Sequence, residues 1–318
     1  MRDEQRRSPV RPPLNEAEQR LRDRLRQHVE ALATAIGPRH MHAPGTMDAA
    51  ASYIERELTQ VAGERVTRHC FRVENDTADN LIMERRGTSR PDRVMIVGAH
   101  YDTVPDTPGA DDNASAVAML IEIARLLISR PPRRTLRFVA FANEEAPHHN
   151  MGTMGSDHYV RLCVADESVR IVGMISLEMV GYFRTEPGSQ RIPPSMPRVM
   201  RHVLPKRGDF LAAVANPGSM RLLYTFWRGV RRARRRVMFL PIALPERIRE
   251  ITLSDHRAFW DAGVSALMVT DTSFLRNPHY HEPTDTPATL DFDRMARATV
   301  GVANGIAACA GIRARIRT

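Results

Sequence analysis

Two histidines, His100 and His281, and the carboxylates Asp102, Asp111, Glu144, Glu145 and Glu178 fall at the ends of apolar runs or in the polar loops that follow them. His100 and Asp102 come after the run at 94–97, Glu144 and Glu145 after the run at 135–142, and Glu178 closes the run at 171–177. Asp111 opens a loop before a helical pattern, and His281 arrives late, in the string NPHYHEPTDT. In an open α/β sheet the ligand site lies beyond the carboxyl ends of the strands, so these positions converge on one place. One bridging aspartate, two histidines and two further carboxylates are what a pair of zinc ions needs. Such ions, about 3.5 to 4 Å apart, polarise a scissile carbonyl and lower the pKa of a shared water toward about 7. A carboxylate off the metal must then take that water's proton. The adjacent glutamates satisfy this with separate duties, Glu145 on the metal and Glu144 facing the water. Asp102, two residues past His100, is placed to accept the proton on the imidazole's other nitrogen and so fix its tautomer.

The elements that must carry these residues are legible from periodicity. Leu21, Leu25, Val29 and Leu32 recur at helical spacing up to the Gly37-Pro38 pair, and a second helix is expected over 47–61. Runs rich in β-formers follow at 66–73, 81–84 and 94–97. Asp112 or Asn113 is expected to cap a helix carrying Val117, Leu120, Ile121, Ile123 and Leu127 to the stop at Arg130-Pro131-Pro132. Further strands are expected at 135–142, 171–177 and 265–269, with a helix over 156–163. The alternation predicts an α/β fold, a mixed, mainly parallel central sheet sandwiched by helices. The proline-rich stretch 184–250 breaks the rhythm and reads as an insertion packed over one edge or end of the sheet. Residues 1–13 read as a disordered arm, leaving 14–318 as a single domain.

A chain of 318 residues, 42% hydrophobic, is long enough to bury a large core. The net charge of +9 comes almost wholly from arginine, with Lys206 the one lysine. Its dense run, Arg231, Arg232, Arg234, Arg235 and Arg236, shares a segment with an apolar stripe of Leu223, Phe226, Trp227, Val230 and Val237, and so reads as the solvated face of a packed helix. No nucleic-acid partner is expected. Cys70, Cys163 and Cys309 are odd in number and far apart, with no thiolate zinc spacing, and read as inert buried thiols in a reducing compartment. No stretch reaches the roughly 20 apolar residues of a membrane helix, and no apolar leader is seen, so a cytoplasmic protein without a membrane partner is expected.

Taken together, GAHYDTVPDTPGADDNAS, FANEEAPHHNMGTMGS, ISLEMVGYF, SDHRAFWDAG and NPHYHEPTDTPATL resemble, in order and spacing, metallopeptidase family twenty-eight over about residues 20–310. That family comprises co-catalytic zinc aminopeptidases and their carboxypeptidase relatives. The resemblance implies that His100 and Glu178 hold one zinc, that Glu145 and His281 hold the other, and that Asp111 bridges them beside a cis peptide between Asp111 and Asp112. It implies that Tyr280 steadies the tetrahedral oxyanion. The substrate would be a peptide or aminoacyl compound. Glu178 stands where many members carry aspartate, and its longer arm leads us to expect a weaker His100–Glu178 metal. His148 and His149 lack an evident carboxylate partner and read as solvent-facing or substrate-side groups, and Asp255-His256 reads as a helix start. Two other functions stay open on the same scaffold: one-zinc cyclisation of N-terminal glutamine, and a binding protein that has lost catalysis. The complete donor set argues against both.

Overall fold

The computed structural model describes residues 12–316 except 150, 167, 194, 197–203 and 234–236; the arm expected at 1–13 lies outside these residues up to position 11. Eight strands form one sheet. They are β1 (Thr67–Val73), β2 (Asp76–Arg85), β3 (Arg90–His100), β4 (Arg134–Phe141), β5 (Arg170–Glu178), β6 (Phe210–Ala215), β7 (Met238–Ala243) and β8 (Ala266–Thr270). Their spatial order is β1-β2-β4-β3-β5-β8-β6-β7. The central four, β4, β3, β5 and β8, run parallel, while β1 and β2 are antiparallel at one edge and β6 opposes β8 at the other. Buried parallel strands carry apolar side chains on both faces. Accordingly Val94, Met95, Ile96, Val97 and Ala99 of β3 are all buried.

Helices α1 (Glu16–Glu30), α2 (Pro44–Ala62), α3 (Ala116–Leu127), α5 (Met220–Arg232) and α7 (Phe292–Ala310) pack one face, and α4 (Gly155–Ala165) with α6 (His256–Asp261) the other. The mixed, helix-flanked sheet expected from the alternation is therefore present. Each face has its own apolar core, and α7 is buried along almost its whole length. Among the described residues no helix is long and apolar enough to cross a membrane.

Three expectations need correction. The 184–250 stretch supplies β6 and β7, which extend the sheet instead of capping it. Pro241, which has no N–H to donate, sits on β7, the edge strand where its loss is tolerated. Neither Asp112 nor Asn113 caps α3, because the helix starts at Ala116 with Ser115 in the N-cap position, and both residues lie earlier, in the irregular turn at 110–115, at φ −104°, ψ 86° and φ −135°, ψ 33°. Cys70 is exposed, on edge strand β1, whereas Cys163 and Cys309 are buried free thiols. On α5 the apolar stripe forms through Leu223, Phe226 and Val230, with Arg231 and Arg232 exposed at its end; Arg234, Arg235 and Arg236 lie outside the described residues.

Candidate metal centre

His100 is the last residue of β3 and Glu178 the last of β5, neighbouring parallel strands, so sheet hydrogen bonding alone brings both to the carboxyl edge. The third contributor is Asp112, in the irregular turn at 110–115. Gly109 enters that turn at φ 60°, and a Cβ there would stand 2.3 Å from the carbonyl oxygen of Asp112, so only glycine fits. The turn is then tied to the segment after β5. Asn113 Nδ2 donates to the Leu177 carbonyl at 3.1 Å, the Met179 N–H donates to Asn113 Oδ1 at 3.0 Å, and the Val180 N–H donates to Ser115 Oγ at 3.0 Å. Beneath it, Arg39 is fully buried and donates to the carbonyls of Tyr101, Pro108 and Gly109 at 2.8 to 3.1 Å.

The result is two donor triplets that share Asp112: His100, Asp112 and Glu178, and Asp112, Glu145 and His281, each with its ligand atoms within 4.8 Å of one another. His100 Nε2 stands 3.3 Å from Glu178 Oε2 and 3.6 Å from Asp112 Oδ1. His281 Nε2 stands 3.2 Å from Asp112 Oδ2 and 3.3 Å from Glu145 Oε2. Thus each oxygen of Asp112 serves a different triplet. Ligands about 2.0 to 2.2 Å from a tetrahedral ion stand about 3.3 to 3.6 Å apart, so the spacing fits zinc.

Chemistry of the donors agrees with spacing. Both His100 Nε2 and His281 Nε2 are buried without a hydrogen-bond partner among the described residues. Burial, then repulsion from Asp112, pushes the Glu145 carboxyl up to about 8. Burial raises Glu178 to about 7 against the opposing pull of His100. Burial works to lower His281, but the carboxylates of Asp112 and Glu145 outweigh it and lift the imidazole to about 10. Crowded buried carboxylates facing bare imidazole nitrogens are what a divalent cation relieves.

The sequence-based assignment of the bridging role to Asp111 is off by one residue. Asp111 points into the protein, where its Oδ1 accepts from the Gly181 N–H at 2.9 Å and its Oδ2 from Asn277 Nδ2 at 2.8 Å. Burial and the neighbouring Asp271 hold its carboxyl well above the ordinary range. The cis peptide is likewise one residue later, between Asp112 and Asn113. Two adjacent aspartates in GADDN are indistinguishable until the backbone direction at each is known.

Asp102 does more than orient an imidazole. Its two carboxylate oxygens accept the N–H groups of Glu144 and Glu145 at 3.0 Å each, clamping the start of the loop after β4. His100 Nδ1 is 3.2 Å from the Asp102 carbonyl and 3.5 Å from its carboxylate. Ser254, directly before the helix start read at Asp255-His256, donates Oγ to Glu178 Oε2 at 2.8 Å and lies 2.9 Å from Ser176 Oγ. Nothing in the spacing of SDHRAFW signals that contact, which is made across 76 residues. Tyr280 stacks on His281 with ring centroids 3.7 Å apart, and Arg276 is a structural arginine bound to the Tyr182 and Phe210 carbonyls.

Beside the triplets opens a cavity of about 260 Å³, walled by Asp112, Glu144, Glu145, His149, Glu178, Tyr280 and His281 on the polar side. Its far wall is apolar, with Met196, Phe210, Val214, Leu240, Ile242 and Met268, much of it from β6 and β7.

Comparison with known proteins accords with this geometry. The sequence model of peptidase family M28 matches residues 80–306. The uncharacterised protein YfbL of Escherichia coli K12 is 34% identical over 291 residues, 88% of this chain and 86% of that protein. The aminopeptidase YwaD of Bacillus subtilis is 39% identical over 109 residues, 34% of this chain and 23% of that protein. Among solved structures, a zinc aminopeptidase from Bacillus subtilis superposes with a TM-score of 0.72 at 17% identity, covering 93% of this chain and 98% of the other.

Proposed function

Because this chain belongs to peptidase family M28, we propose that it is a zinc-dependent exopeptidase, an aminopeptidase that releases an N-terminal residue with a large apolar side chain. One observation carries the proposal: Asp112 offers one oxygen to each of two complete donor triplets at the rim of an apolar cavity, with a further carboxylate, Glu144, beside them. His100, Asp112 and Glu178 would hold one zinc, and Asp112, Glu145 and His281 a second. Bound there, zinc supplies Lewis-acid polarisation of the scissile carbonyl and acidifies a water.

The chain's own residues do the rest. Glu144 takes the proton of the attacking water at its carboxylate and returns it to the departing amine. Tyr280 OH, held over the site by the stacking of its ring on His281, donates to the oxygen that becomes negative as the carbonyl turns tetrahedral. Burial and the surrounding carboxylates keep that phenol protonated, well above its ordinary value, so it remains a donor. The apolar wall of β6 and β7 excludes water and receives the side chain ahead of the scissile bond. Two complete triplets favour hydrolysis over one-zinc cyclisation of glutamine and over a non-catalytic binding protein.

The test is zinc content per chain together with turnover of leucine and alanine p-nitroanilides, their N-acetyl forms, and a glutaminyl peptide. Two zinc ions and release of nitroaniline from the free-amine leucine substrate are expected. Cyclisation of the glutaminyl peptide with one zinc per chain would replace this reading by the acyl-transfer one.

A further inference from the structure

His149 belongs to neither donor triplet. It lies on the loop between β4 and α4, and its Nδ1 stands 2.9 Å from Glu144 Oε1. The ring's other nitrogen is buried and has no partner among the described residues, and the ring forms part of the cavity wall. For Glu144 the next basic group is His100 Nε2, 3.9 Å from Oε2 and beyond hydrogen-bond reach. The backbone of Glu144 is fixed by Asp102, but three side-chain torsions separate that backbone from the carboxylate.

We propose that His149 is a positioning residue for Glu144: Nδ1–H engages Oε1 and thereby turns Oε2 toward the donor triplets, where the attacking water must lie. The assignment rests on the function proposed above. A hydrogen bond to a carboxylate is roughly twice as strong as a neutral one and fixes direction, which is what a proton-transferring group needs within about half an ångström. A histidine that only anchored its loop would spend its ring nitrogens on loop carbonyls. Here Nδ1 is on the Glu144 carboxylate, Nε2 has no partner among the described residues and the ring lines the cavity, so the contact serves the site. Asparagine at this position places an amide N–H near the place of Nδ1, which makes a conservative rescue available.

Kinetics of the zinc-loaded protein on leucine p-nitroanilide would compare wild type, His149→Ala and His149→Asn, with zinc binding followed by calorimetry. His149→Ala is expected to lower kcat by about 10- to 100-fold, the worth of one charge-assisted hydrogen bond, with KM changed less than about twofold and zinc binding unchanged. His149→Asn should recover most of kcat. Independently of turnover, proton NMR of the wild type should show a hydrogen-bonded Nδ1–H of His149 that Glu144→Ala removes. Unchanged kcat in His149→Ala, no recovery in His149→Asn, or persistence of that resonance in Glu144→Ala would each overturn the proposal. A wild type that cleaves no aminoacyl anilide but keeps the Glu144-dependent resonance would remove the proposed reaction and leave the pairing standing.

Discussion

His100 ends a central strand and is 1% exposed, whereas the side chain of His281 is 33% exposed on a loop where its backbone takes a φ of 60°. The partner carboxylates differ in the same sense. Glu178 ends β5 and accepts from Ser254, whose own oxygen is tied to Ser176; Glu145 lies in the loop after β4, held through its backbone by Asp102. One half of the donor cluster is thus built on the sheet with several supports, and the other on loops around a stacked tyrosine. Metal affinity depends on how much ordering the protein has completed beforehand, because ligands that must be immobilised on binding give back part of the free energy.

Asp112 belongs to both halves, so its removal breaks the comparison altogether. Asp112→Ala is expected to lose both ions and all turnover, while Asp111→Asn keeps two ions per chain, as counted by elemental analysis. Retention of both ions in Asp112→Ala with loss in Asp111→Asn would return the bridging role to Asp111. Next in size, Glu144→Gln leaves both halves intact and removes only the proton carrier, so kcat should fall by about 100- to 10,000-fold at unchanged zinc content. Near-normal turnover would take Glu144 out of the chemistry.

The sharper test compares the halves directly. Side-chain length alone leads one to expect the His100–Glu178 position to be weaker, but burial and the Ser254 contact favour the reverse. During mild chelation the His281–Glu145 position is expected to empty first. Ser254→Ala should weaken only the tighter site, by about 10- to 100-fold in zinc titration calorimetry. If the site sensitive to Ser254→Ala were the first emptied, bracing would not set the order.

The smallest effect concerns the packing beneath Ser254. His256 is buried against Trp260, 4.4 Å between ring centroids, its Nε2 donates to the Ile251 carbonyl, and burial lowers its pKa from the ordinary 6.5 to about 4. The neutral form is favoured in the fold, so below pH 6.5 the unfolded chain binds the extra proton. Stability is then lost as pH falls from 6.5 toward 4, by about 3 kcal/mol. Urea unfolding of the metal-free protein across that range should show this slope in the wild type and not in His256→Gln. Equal slopes would mean that His256 accepts its proton without unfolding.

Much of this protein is written locally. The apolar runs at 94–97, 135–142 and 171–177 lie within β3, β4 and β5 to within a residue, because a buried parallel strand must be apolar on both faces and polar where it ends. Strand ends carrying His100 and Glu178 followed from that, whereas the pairing of Glu145 with the late His281 was implied only by the family resemblance. What the sequence left undetermined depends on backbone direction and on contacts between distant segments. Which of two adjacent aspartates faces the cavity is set by the turn at 110–115 and its ties to the Leu177–Val180 segment. The sheet membership of β6 and β7 is set by pairing with β8, since a short apolar run beside prolines has the same pattern whether it joins a sheet or covers one. Ser254 on Glu178 and His149 on Glu144 are contacts of single hydrogen-bonding atoms with no periodicity to mark them. Periodicity reports which face of an element is buried; only the folded chain decides which polar atom meets which.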